Sequence, residues 1–127
     1  MTCPKCHAPM TIVTVGEYIV DRCTVCAGLW FDLREHEHIV EAKADVASVD
    51  TGDAAIGAQQ NARRDISCPA CHVKMLQLAV PTQPHIKYES CPVCYGAFFD
   101  AGEFKDYAHY SLAEQVGTFF GGFRRRK

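Results

Sequence analysis

Two stretches of the chain, TIVTVGEYIV (11–20) and LQLAVPTQPHIKYES (76–90), are rich in β-branched and apolar residues. Each is broken by turn formers, Gly16 in the first and Pro81 and Pro84 in the second, so each predicts a β-hairpin. The prolines belong in the second turn or at its margins, because a proline inside a central strand removes a ladder donor. A short strand follows each hairpin, in GLWFD (28–32) and GAFFD (96–100). The apolar period then lengthens to that of a helix. Leu33, His36, Val40, Ala44 and Ala47 fall on one side of the first predicted helix, and Phe104, Tyr107, Ala108, Leu112, Val116 and Phe119 on one side of the second. Asp32 with Glu35, and Asp100 with Glu103, stand three apart at the two helix starts. At that spacing an N-cap carboxylate and a returning glutamate satisfy the first free N–H groups, so these acids read as caps and not as acid–base catalysts.

The second half of the chain repeats the first. Cys3, Pro4, Cys6, His7 and Met10 recur as Cys68, Pro69, Cys71, His72 and Met75 at an offset of 65. DRCTVCAGLWFDLRE (21–35) recurs as ESCPVCYGAFFDAGE (89–103) at an offset of 68, which puts three additional residues within PTQPH, where a hairpin loop is expected. Repetition over tens of residues indicates tandem copies of one small unit. The units occupy residues 1–44 and 66–119, joined by an Ala-, Gly- and Asp-rich linker at 45–65 and followed by a basic tail at 120–127. The linker predicts one short helical turn near Ala58 to Arg63 and units that tumble semi-independently.

Units of this size bury too little apolar surface to fold alone and are usually stapled by disulfides or metal. All eight cysteines fall into four CxxC pairs, and 16 residues separate the pairs of the first copy against 19 in the second. A CxxC turn points both sulfurs into one tetrahedron, and a hairpin brings the second pair beside the first. No charged and apolar leader is readable before Cys3 and no apolar run reaches a membrane span, so the expectation is a cytoplasmic chain, where disulfides are disfavoured. Four soft thiolates per unit then suit zinc, two ions per chain, and a closed shell of protein ligands argues for structure over catalysis. A thiol redox protein, an eight-cysteine disulfide framework and an iron–sulfur centre are the competing readings. The fold class is a small metal-bound α+β protein, and an enzyme is not expected.

His7 and His72 follow the second cysteine of each first pair, a position that takes positive φ, and read as turn residues with exposed rings instead of ligands. His36, His38 and His109 have no counterpart in the other copy. Met10 and Met75 read as core fillers. In Trp30–Phe31 and Phe98–Phe99 adjacent rings face opposite sides of a strand, so one of each pair covers the helix side and the other looks outward. The outward ring, assigned to Trp30 and Phe98, serves either a seam between the units, which is favoured, or a partner-docking point.

CPKC with CTVCAGLWFDLRE resembles the zinc-ribbon family named for the N-terminal ribbon of transcription factor IIB, and CPAC with CPVCYGAFFDAGE resembles it with Phe98 in the tryptophan position. The resemblance covers roughly 70 of 127 residues. It implies two tandem zinc ribbons, with Cys3, Cys6, Cys23 and Cys26 on one metal and Cys68, Cys71, Cys91 and Cys94 on the other, and no particular activity.

Charge weighs on the partner. The formal net charge is −2, and Arg124, Arg125, Arg126 and Lys127 supply four of the 13 Lys and Arg residues. Each zinc tetrathiolate adds about two negative charges, so outside the tail there is little to neutralise phosphates. The expectation is an adaptor that binds a protein partner or a second copy of itself, with nucleic-acid binding as the alternative and neither a membrane nor a small-molecule substrate.

Overall fold

A computed structural model describes residues 1–33, 35–41, 45–60, 65–80 and 83–109. The first unit contains β1 (Met10–Val15), β2 (Tyr18–Cys23), β3 (Leu29–Phe31) and α1 (Glu35–Glu41). A 3-10 turn (Val46–Ser48) and α2 (Ala54–Gln60) lie between the units. The second unit contains β4 (Leu76–Val80), β5 (Gln83–Ser90), β6 (Ala97–Phe99) and a helix α3 over 103–109. The three additional residues of the second copy sit inside β5 and not in the loop. Val80 pairs with Gln83 while Ala79 pairs with Lys87, so residues 84–86 bulge from the ladder, which accommodates a proline that has no N–H to donate.

The hairpins join into one six-stranded sheet of order β1-β2-β3-β6-β5-β4. Its centre is an antiparallel pair in which Leu29 faces Phe99, Trp30 faces Phe98 and Phe31 faces Ala97. Given the offset of 68, this register places a pseudo-two-fold axis through the Trp30–Phe98 pair. The units therefore do not tumble semi-independently, because their third strands share a ladder. Side chains alternate across the sheet and build a core on each face. Val20, Leu29, Phe31, Ile39, Phe99 and Phe104 pack on the helix side. Trp30, Phe98, Met75 and the cysteines pack on the other.

The helices bury the expected faces in part. His36 and Val40 of α1 and Phe104 and Ala108 of α3 are buried, and His36 lies among the rings of Phe31, Phe99, Tyr88 and Tyr107. Leu33 precedes α1 and is exposed, as is Ala47. Ala44, Leu112, Val116 and Phe119 lie outside the described residues.

Residues 45–60 are more than a linker. Val49 and Asp50 are buried, and the Asp50 carboxylate accepts the backbone N–H groups of Gly102 and Lys105, each at 2.9 Å. Asp50 thereby caps α3 from across the chain. Of the helical turn expected near Ala58 to Arg63, Ala58 to Gln60 belong to α2, which begins at Ala54, and Asn61 to Arg63 lie outside the described residues. Gly57 of α2 lies so close to Ala101 that an added Cβ would come within 2.0 Å of that carbonyl oxygen.

The capping assignment needs correction. The carbonyls of Asp32 and Asp100 accept the N–H groups of Glu35 and Glu103 at 2.8 and 3.0 Å, but their carboxylates go elsewhere. Asp32 accepts from Trp30 Nε1 at 3.2 Å, and Asp100 turns to Lys5. Glu35 Oε1 is buried without a hydrogen-bond partner among the described residues. Burial and the neighbouring Asp32 carboxylate together push its own carboxyl up.

Candidate metal centres

Each CxxC closes as a tight turn in which the residue after the second cysteine donates its N–H to the carbonyl of the first. His7, Ala27, His72 and Tyr95 make these bonds at 2.8–3.2 Å, and all four have φ between 61 and 64°. The left-handed conformation read for His7 and His72 thus extends to Ala27 and Tyr95, where sequence reasoning did not look. The closed turn aims backbone N–H groups at sulfur. Val25 and Cys26 donate to Cys23 Sγ, Ala70 and Cys71 to Cys68 Sγ, and Val93 and Cys94 to Cys91 Sγ, all at 3.2–3.4 Å.

Cys3, Cys6, Cys23 and Cys26 form one set and Cys68, Cys71, Cys91 and Cys94 the other, with every sulfur of a set within 4.8 Å of the rest. Cys3 and Cys26 sulfurs lie 3.8 Å apart, Cys6 and Cys23 3.2 Å, and Cys68 and Cys94 3.7 Å. A zinc–sulfur bond of about 2.3 Å gives a tetrahedron with edges of about 3.8 Å, so the donors fit the ion. The electrostatics favour the thiolate at chosen positions. The hydrogen bond from Cys26 holds the Cys3 thiol down to about 5, and the same bond with burial pushes Cys26 up. Burial pushes Cys91 up, but the N–H groups of Cys94 and Val93 prevail and bring it to about 7. Burial raises Cys94 to about 12. Zinc would be held by all eight cysteines, four to each ion. Its role is to fix two turns that the small cores cannot hold by themselves.

Trp30 and Phe98, considered as outward-facing docking residues, are 1% and 0% exposed. They are the seam. A Cβ on Gly28 would lie 2.3 Å from the Phe98 ring, and one on Gly96 would lie 2.3 Å from Trp30. Each unit's aromatic ring is thus seated on the glycine that follows the other unit's second cysteine pair. Both rings of each adjacent pair are buried because both faces of the sheet carry a core.

Within its own ribbon's sequence Lys5 carries no signal of a special role beyond its charge. Its side chain is fully buried and reaches the second unit, with Nζ 2.6 Å from Asp100 Oδ2 and 3.2 Å from Glu89 Oε2. It also donates to the Gln60 carbonyl at 2.9 Å. The available signal was an asymmetry of the repeat, since Ala70 occupies the equivalent position. Between the two first turns runs a cleft of about 800 Å³ lined by Thr2, His7, Asp65, Ser67 and His72. Arg124, Arg125, Arg126 and Lys127 lie outside the described residues.

A hairpin and a short strand that carry two CxxC turns to one sulfur tetrahedron define a structural zinc ribbon, and this chain contains two, paired about a pseudo-two-fold axis. The transcription factor zinc-finger family, the zinc ribbon of the transcription factor IIB kind, matches residues 2–42 and 67–109, and the chain belongs to that family. No curated protein and no solved structure matches the chain. Among the described residues no helix is long and apolar enough to cross a membrane.

Proposed function

We propose that the protein is a non-enzymatic adaptor whose paired zinc ribbons form a rigid platform for a protein partner. Two of the ribbon cations are drawn into the fold. Lys5 is buried in an ion cluster, and Arg22 donates to the Val49 carbonyl at 3.0 Å. Lys74 lies 3.6 Å from Asp65, but both side chains are exposed and the pair leaves the ammonium in solvent. A surface that binds phosphates needs cations free to meet them, and of the described Lys and Arg residues Lys74 and Lys105 are exposed and Lys87 is half-buried. The observation that carries this reading is that apolar side chains stand out at equivalent points of the two units. Val25 and Val93 occupy matching positions in the second cysteine turns and are 72% and 61% exposed, with Tyr95 beside the latter. Such paired apolar tips suit contact with another protein.

The test uses the zinc-loaded full chain. A partner that co-purifies with it should be retained when residues 124–127 are deleted and lost in the Val25→Glu/Val93→Glu double variant. Tight, sequence-selective duplex DNA binding that survives loss of the tail would overturn the reading.

A further inference from the structure

Lys5 stands between Cys3 and Cys6, so its side chain is aimed only when the first cysteine turn is closed. Its ammonium does not serve its own ribbon. It reaches Glu89, on the strand that leads into Cys91, and Asp100, on the segment that leaves β6. Both acids are buried, at 0% and 1% exposure. Closing the first turn therefore delivers the positive charge that the second ribbon's buried acids face. Folding the second ribbon, in turn, builds the seat that Lys5 occupies. The aromatic exchange acts in both directions as well, since Phe98 rests on Gly28 beside Cys26 and Trp30 rests on Gly96 beside Cys94.

We propose that the two zinc sites load cooperatively, coupled through the reach of Lys5 to Glu89 and Asp100 and through the Trp30–Phe98 exchange across β3 and β6. Metal closes a turn that neither small unit closes alone. A closed turn in one ribbon supplies contacts that the other ribbon needs, so the first ion raises the affinity for the second. By linkage the second raises the first equally. The arm itself runs one way, because Ala70 replaces lysine in the second ribbon, but the coupling it provides is reciprocal.

Native mass spectrometry of the reduced, metal-free full chain titrated with zinc reads this directly. Two independent and equal sites give about half of the chains with one ion at half saturation, whereas a tenfold coupling lowers that share to about a quarter. The expected share is about a quarter or less, and a share of half or more overturns the proposal. Lys5→Met should still take two ions while its one-ion share rises toward half. A share as low as wild type would remove Lys5 from the coupling. Should that variant fail to fold, Lys5→Met/Glu89→Gln/Asp100→Asn leaves no buried charge without its counterion. It is expected to show the same rise, and a one-ion share still at the wild-type level overturns the lysine route.

Discussion

Glu89 and Asp100 share one ammonium between them. Burial pushes the Asp100 carboxyl up to about 7 against the opposing pull of Lys5, and burial raises Glu89 too. Two acids facing one cation in a dry site are satisfied near neutral pH when one of them keeps its proton. The folded state holds the Asp100 proton more tightly than the unfolded chain, whose value is 3.8. Its contribution to stability is therefore complete below about pH 4 and is lost as pH rises through about 7. Asp100→Asn keeps a neutral group there at every pH. Urea unfolding of the zinc-loaded chain should show the variant gaining on wild type from about pH 5 to pH 8, and a constant difference would contradict the shared proton. Lys5→Ala is the opposite case, since it strands both acids in the interior. It should cost about 3–5 kcal/mol at neutral pH, measured in the same way. None of this was legible in the residues themselves. A lysine inside CPKC looks like a surface residue, and only its replacement by Ala70 in the repeat marked it as a position where the ribbons differ.

At the scale of elements the hairpins, short strands and cysteine turns were legible because each is specified locally, by turn formers, β-branched runs and CxxC spacing. The seam was legible in part: Trp30 and Phe98 were its favoured residues, but the strand pairing that sets these residues, 68 apart, face to face has no local trace beyond a glycine. Gly28 and Gly96 were visible as part of a repeated motif, yet their reason lies in the opposite ribbon, where each leaves room for a ring. The function of Asp50 was hidden in the same way, since a cap supplied 52 residues before its helix leaves no signature in the helix. The seam can be tested with the one tryptophan of the chain. A methyl group at position 96 would meet the Trp30 ring at 2.3 Å, which forces the ring or the strand to shift. Gly96→Ala should cost about 1–3 kcal/mol in denaturant unfolding. Its native-state tryptophan emission should move to longer wavelength as Trp30 gains water. Unchanged emission and stability would show that the ring is not seated there.

For the whole molecule, pairing about a pseudo-two-fold axis places both zinc centres in one apolar layer, and two tetrathiolates concentrate negative charge there. Phosphate binding would have to draw on cations outside that layer, and the densest group is Arg124 to Lys127. Four cations limit the salt response of duplex binding to a slope of log affinity against log salt no steeper than roughly −3.6. Such binding would be weak at physiological salt and indifferent to sequence. Titration of the zinc-loaded chain with two unrelated duplexes should therefore give equal, shallow salt slopes, and deletion of residues 124–127 should abolish them. The same deletion should leave stability and zinc content unchanged, because the sulfur sets, the seam and the Lys5 cluster all lie within residues 1–109. A slope much steeper than this ceiling, or one that persists without the tail, would mean that the ribbons themselves present a phosphate-binding face, and the adaptor reading would then give way to nucleic-acid recognition.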